Sequence, residues 1–212
     1  MTLTIRRATL GLLLFLTAAG LLTAPAGAAK LKGTLAINAG TWSSKPAGSW
    51  FRLATPTGAF LDNASSTAGN KSYTLLKPGK QRGIRLGSYQ ADSTFADNGD
   101  SQASAIITPT AFFGTLFGLA TLRVEAPGAR PSPAPSATVK GKKISVNLSA
   151  LTAAWNKQYF NQGLPKPGTK KPLVTGSYSS KSKAFKLDWR SKIAGGPFNG
   201  FTGVWHLEGK VR

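Results

Sequence analysis

Few side chains in this sequence could do acid–base chemistry, and three of them fall near its end: Asp188, His206 and Glu208. His206 is the only histidine in the chain. A serine–histidine–acid relay would have to use it, yet no nucleophile elbow of the form G-x-S-x-G occurs. Asp188 and Glu208 could instead serve as the paired carboxylates of a glycosidase. Against both readings stands a structural one, in which an exposed strand histidine lies among ion pairs. A carboxylate beside a cation has its pKa pushed down, which is wrong for a general acid. The structural reading is preferred for all three residues.

A second constellation is WNKQYFNQG, residues 155–163. Trp155, Tyr159 and Phe160 alternate with the amides of Asn156, Gln158, Asn161 and Gln162. Flat apolar rings beside amide donors and acceptors suit a sugar, whose faces are apolar and whose rim carries hydroxyls. The competing account makes the aromatics core and the amides loop ties. Lysine clusters lie near this segment in sequence: Lys140, Lys142 and Lys143 in KGKK, Lys170 and Lys171 in KPGTKK, and a third group in KSKAFK (181–186). ADNGDSQ (96–102) places oxygen ligands around Gly99 but lacks the closing acid of a calcium loop, so it reads as a polar turn. With one histidine and no cysteine, no metal site and no cofactor are expected.

What must position these residues is a set of short strands. Runs of β-branched and aromatic residues, bounded by Gly, Pro, Asn and Ser, recur without long amphipathic helical patterns. Strands are expected at Leu31–Ile37, Ser49–Ala54, Ser72–Leu76, Ile84–Gln90, Ala103–Ile107, Lys143–Ala154, Val174–Ser179, Ala184–Arg190 and Gly203–Val211. TAFFGTLFGLATL (110–122) reads as a buried strand pair bent at Gly114 or Gly118. SALTAAWNKQYF (149–160) fits a short helix capped by Ser149, or a strand running to Trp155 with a bulge near Ser149. The strand is preferred because the alternation shifts by only one position there.

The last two strands are joined by GGPFNGFTGVWHLEG (195–209). Asn199-Gly200 signals a two-residue type I′ turn. A bulge at Gly195-Gly196 then brings the apolar sides of both strands to one face, because glycine accepts positive φ. This register puts Asp188 opposite Lys210 and Arg190 opposite Glu208. The same stretch, with WNKQYFNQGLPKPG (155–168), resembles a family of uncharacterised secreted bacterial proteins. Its members share a GGPFNGFTG-aromatic-WHLEG ending and a WN-aromatic-FNQG-PKP segment. Val204 stands here where that pattern has an aromatic. The resemblance implies export and a shared β-fold, and carries no activity with it.

The N-terminus fits export independently. Arg6 and Arg7, the apolar run Ala8–Leu22 and the small residues Ala26-Gly27-Ala28 form the three parts of a signal peptide. That run is shorter than the ~20 residues a membrane span needs. Residues 1–29 are expected to be removed, leaving no transmembrane segment. Residues 30–212 are expected to form one β-domain with a Pro-, Ala- and Ser-rich excursion at 126–138.

Charge is the dominant compositional fact. The chain carries 27 Lys or Arg against 7 Asp or Glu, a formal net charge of +20. Fifteen of those cations and two of the acids follow residue 126. Lysines outnumber arginines 18 to 9, which favours diffuse attraction to a polyanion over a bidentate phosphate pocket. The expectation is an all-β, single antiparallel β-sandwich or partly closed β-barrel, secreted to the extracellular side. It would be a non-enzymatic binder of an anionic polysaccharide or cell-envelope polymer. Alternatives from other classes are a secreted polysaccharide hydrolase using Asp188, Glu208 or His206, and a structural protein without a soluble ligand. Nucleic acid is disfavoured as the physiological partner, because no recognised binding motif accompanies the charge.

Overall fold

A computed structural model describes residues 27–91, 94–124, 130–164 and 173–212, and contains no helix among them. The first strands are β1 (Ala29–Leu31), β2 (Thr34–Ile37), β3 (Thr41–Trp42), β4 (Pro46–Ala47) and β5 (Trp50–Ala54). They are followed by β6 (Thr74–Leu75), β7 (Gly83–Arg85), β8 (Thr110–Phe112), β9 (Thr115–Thr121), β10 (Ser136–Lys140) and β11 (Lys143–Asn147). The chain then forms β12 (Leu151–Trp155), β13 (Gln158–Asn161), β14 (Leu173–Tyr178), β15 (Ala184–Lys192) and β16 (Thr202–Val211). The architecture is all-β, a large curled antiparallel sheet with smaller sheets beside it, as the strand-rich pattern predicts.

The large sheet has ten strands, with β1-β10-β11-β14-β15-β16-β2-β7 in line. β16 pairs with β15 along one edge and with both β5 and β2 along the other. A second sheet, β13-β12-β9-β8, packs against its inner side. Leu35, Phe51, Ile144, Val146, Leu187, Trp205 and Leu207 from the large sheet share one core with Phe112, Phe117, Leu119, Leu151 and Phe160. Alternation explains the division. Along β16 the odd-numbered residues from Gly203 to Val211 are buried, and the even-numbered ones face outward.

Several sequence expectations change in detail. The Leu31–Ile37 strand breaks at Gly33, whose φ of 89° turns the chain between β1 and β2. Of the Ile84–Gln90 run, only Ile84 and Arg85 lie in a strand, as part of Gly83–Arg85. Ala103–Ile107 is not a strand. The carbonyls of Ser104, Ala105 and Ile106 all accept from the single segment Gly79–Gln81, whereas successive carbonyls of a strand point to opposite sides. The Lys143–Ala154 run is extended, not helical, but what separates its halves is a change of sheet in place of a bulge. Leu148–Ala150 turns the chain from β11 in the large sheet to β12 in the small one. The 110–122 run is a hairpin bent at Phe113–Gly114, with φ of 48° and 76°. The excursion at 126–138 is described from residue 130 onward, and its last residues belong to β10.

The terminal hairpin differs most. Asn199-Gly200 does not form a two-residue turn. Pairing ends at Ile193 and Phe201, whose backbones bond at 2.8 Å, and residues 194–200 form a longer loop. Phe198 gives the reason: it folds back against Trp155 at 5.1 Å and against Phe112 and Phe160, contacts beyond the reach of a tight turn. The register therefore moves by four residues. Asp188 pairs with His206 and Arg190 with Val204, not with Lys210 and Glu208. An even shift leaves every side chain on its expected face, so Trp189 and Trp205 still lie together and stack at 5.7 Å.

Gly195 and Gly196 both have positive φ, 80° and 61°, as members of this loop and not as a bulge. A Cβ at Gly195 would meet nothing within 4 Å, whereas one at Gly196 would lie 2.4 Å from Gln158 Oε1 and 2.9 Å from Phe160. Gly195→Ala should therefore lose only the left-handed backbone preference, about 1 kcal/mol. Gly196→Ala should lose about 2–3 kcal/mol, because the steric term adds to the same backbone cost. Urea midpoints of the two variants check the order; equal losses would contradict the packing of this loop.

Candidate functional site

The outward face of the large sheet holds the ionisable groups that the sequence singles out. Residues paired across antiparallel strands share a face. The register accordingly sets Lys140 beside Lys143, Lys143 beside Ser177, Ser177 beside Lys186 and Lys186 beside Glu208. One row thus crosses five strands, about 19 Å at ordinary strand spacing. The turns at the same end of the sheet add Lys142, Lys181 and Lys183, and the Lys142 carbonyl accepts from the Tyr178 N–H at 2.8 Å. Lys210 follows on β16 opposite Ala184, then Arg212, with Arg82 just before β7. The result is a cationic rim running from β10 to β7. Among the described residues, its ion pairs with Asp or Glu are limited to Lys186–Glu208, at 2.8 Å.

The three acid–base candidates do come together on this face. His206 Nδ1 lies 2.6 Å from Asp188 Oδ1, and His206 Nε2 lies 3.5 Å from Glu208 Oε2. The imidazole stacks on Trp50, its neighbour on β5, at 5.2 Å. Glu208 Oε1 also accepts from the Gly48 N–H. Both ring nitrogens face carboxylates, so neither is free to deprotonate a nucleophile. The nearby hydroxyl of Ser49 is buried and exchanges hydrogen bonds with the Glu208 backbone. The Lys186 ammonium, first by its hydrogen bond, holds the Glu208 carboxyl below its ordinary range, and His206 acts in the same direction. A general acid of a glycosidase needs the opposite shift. The arrangement is an electrostatic brace.

The WNKQYFNQG residues are distributed differently. Asn156 and Lys157 form a tight turn with φ of 46° and 60°, joining β12 to β13. Trp155 is buried and donates from Nε1 to the Phe112 carbonyl at 2.8 Å. Tyr159 is half-buried against Phe95 at 5.3 Å. Asn161 Nδ2 donates to the Ser149 carbonyl, and its Oδ1 accepts from the Gly163 and Leu164 N–H groups. Gln162 is 1% exposed. Its Oε1 accepts from Ser191 Oγ at 2.8 Å and Trp205 Nε1 at 2.9 Å, and its carbonyl accepts from Trp189 Nε1 at 2.6 Å. Trp155 and Gln162 lie inside the protein, because the strand alternation and the tight turn direct them into the core, while Asn156 is exposed and Tyr159 and Asn161 are half-buried. Lys140, Lys142 and Lys143 are exposed, as a binding surface requires. Lys170 and Lys171 lie outside the described residues.

In ADNGDSQ, Asp100 accepts from the Leu116 N–H and from Asn98 Nδ2, which makes the segment a turn tied to β9. Among the described residues no group of three or more His, Asp or Glu side chains could hold a metal ion. The sequence reading missed a half-buried aromatic group on the outer face, in which Tyr73 contacts Trp42 at 5.5 Å and Trp50 at 5.0 Å. The alternation in SWFRLA carried part of that signal, since Trp50 and Arg52 fall on the side opposite Phe51 and Leu53.

Two predictions follow from this geometry. Gln162→Leu keeps the volume but leaves the Ser191 hydroxyl and Trp205 indole N–H unpaired in the core. It should cost about 3 kcal/mol in a urea titration; a loss under 1 kcal/mol would contradict the bonded geometry. Glu208 has a folded pKa below its unfolded one, so its contribution to stability is present above the unfolded value and lost as pH falls through the folded value. Lys186, raised by the same partner, contributes below its unfolded pKa and loses that contribution as pH rises through its folded one. Glu208→Gln should therefore flatten the acid limb of a melting-temperature profile below about pH 4.5. An unchanged acid limb would show that the pair adds nothing. Comparison of the chain with protein-family models, curated proteins and solved structures finds no match.

Proposed function

We propose that this is a secreted, non-enzymatic β-domain that binds an anionic envelope or extracellular polymer along the cationic rim of its large sheet. The observation that carries the reading is the row Lys140, Lys143, Lys186, extended by Lys142, Lys181, Lys183 and Lys210 on the same rim. Lysines set across hydrogen-bonded strands are held at a spacing of about 5 Å or its multiples, which suits a chain of repeated charges better than one compact anion. Binding gains free energy from released counterions, and many weak contacts add up along the polymer. The signal-peptide pattern and the resemblance described above support an extracellular location. The hydrolase alternative finds less support, since Lys186 holds the Glu208 carboxyl below its ordinary range and both His206 ring nitrogens face carboxylates.

The test is binding of the mature protein to a uronic-acid polysaccharide, a sulfated polysaccharide and a neutral glucan across a salt series. Affinity for the two anionic polymers should fall at least tenfold between about 50 and 200 mM salt, with no binding to the glucan. Lys140→Gln combined with Lys142→Gln and Lys143→Gln should weaken both anionic polymers alike. It should also flatten the salt slope by up to about three charges' worth. Absence of binding at low salt would refute the proposal.

A further inference from the structure

At the β2 end of the rim, the outer surface sinks into a groove, and we infer that it seats one acidic sugar residue of the bound polymer, gripped through its carboxylate, sulfate or phosphate oxygens. The inference deepens the polymer-binding reading and rests on it. The groove encloses about 370 Å³ and is lined by Arg82, Lys210, Arg212, Asn38, Ile37 and Pro78, among others. That volume stands at the low end of small-molecule sites, far larger than a water needs and suited to a single ring.

Among the described residues, no acidic side chain pairs with the cations of the groove. Arg82, Lys210 and Arg212 are all exposed, and among the described residues none takes part in an ion pair. No Asp or Glu side chain lines the groove. Three like charges around one cavity repel each other, and an incoming anion removes that cost while gaining three attractions. Lysine alone would offer point charges, whereas a free arginine fork recognises the two oxygens of a carboxylate or phosphate together.

Arg82 is held in an unusual way for this role. Its φ of 64° is a left-handed conformation that side-chain-bearing residues avoid and that glycine accepts freely. The turn around it is fixed. Its N–H bonds the Gly79 carbonyl at 2.9 Å, and its own carbonyl accepts from Ile37 at 2.9 Å. Buried Gln90 clamps the flanking residues, bonding Gln81 Oε1 at 3.0 Å and the Gly83 carbonyl at 2.9 Å. The guanidinium, by contrast, makes no hydrogen bond within the chain among the described residues. A strained position occupied by a side chain that makes no hydrogen bond or ion pair among the described residues is consistent with a group kept for a ligand.

The rest of the lining discriminates the body that carries the anion. The exposed Asn38 side chain is also without a partner among the described residues, and offers both a donor and an acceptor to hydroxyls. Ala39 and Pro78, exposed and half-buried, supply an apolar wall for the C–H face of a ring. No aromatic side chain lines the groove, so a nucleobase would find nothing to stack on. Those features favour an acidic sugar over a nucleotide.

The experiment titrates the mature protein with glucuronate, glucose 6-phosphate, glucose, inorganic phosphate and adenosine monophosphate, followed by NMR shifts at fixed ionic strength. Glucuronate or glucose 6-phosphate should bind at least tenfold tighter than glucose and inorganic phosphate, and their ranking identifies the anionic group. Arg82→Gly should lower that affinity about tenfold while leaving the melting temperature equal or higher, since glycine relieves the backbone. Lys210→Gln, on a regular strand, should lower it in the same direction. Equal binding of inorganic phosphate, tighter binding of the nucleotide, or an Arg82→Gly protein with wild-type affinity would overturn the inference. If Arg82→Gly changes nothing while the Lys140, Lys142 and Lys143 variant still weakens polymer binding, the groove assignment fails and the rim stands. If no polymer binds at low salt, the polymer reading fails, and the groove loses its place in it.

Discussion

The buried amide of Gln162 ties the small sheet to the large one inside the apolar core they share. It sits just beyond β13 of the small sheet and reaches into the large one. There it accepts from Ser191 on β15 and Trp205 on β16, while its carbonyl receives the Trp189 indole. Gly203 is the space this requires, since a Cβ there would lie 2.3 Å from Gln162 Oε1. Apolar contacts between sheets tolerate sliding, but hydrogen bonds in a dry interior do not. Alternation chooses the inward face of β15 and β16, and the amide pins where the stacked tryptophans lie beneath it. Lys186, Asp188, His206 and Glu208 are left facing outward as a consequence.

That outward face is dominated by repulsion. With a formal net charge of +20, most of the rim lysines lack an internal partner. The brace of Lys186, Glu208, His206 and Asp188 is the exception, and it sits where β16 meets β5 and β15. Its two carboxylates face the two ring nitrogens of the only imidazole of the chain. The same surface that gains from an incoming polyanion must bear its own charge when free, so ionic strength bears on fold and binding together.

How much of this was legible in the sequence depends on the kind of pattern. Alternation over Leu173–Tyr178, Ala184–Lys192 and Thr202–Val211 announced those strands and their buried faces directly. The register did not follow, because Asn199-Gly200 is a local signal and the burial of Phe198 against Trp155 is a tertiary one. Tight turns with two positive φ values form instead at Phe113-Gly114 and Asn156-Lys157, where the second has no glycine to advertise it. The lysine clusters were visible in sequence, but their alignment into a row needed strand pairings between distant segments. Arg82 gave no signal beyond preceding a glycine, since only the backbone geometry shows it to be strained.

The placement of β16 has a further consequence, for the time course of folding. Gly48 and Glu208 are bonded across a separation of 160 residues, and β16 also pairs with β2 and β5 over comparable distances. Closing such loops spends chain entropy before any contact repays it, and sheets built this way fold in milliseconds to seconds or more slowly. The hairpin β15–β16 can form locally, but its outer edge stays open until the early strands arrive. During that interval an apolar face bearing Trp205 and Leu207 lies beside an unpaired strand edge. The dense positive charge of the late segment then acts as a kinetic safeguard, keeping partly folded copies apart until β2 and β5 dock.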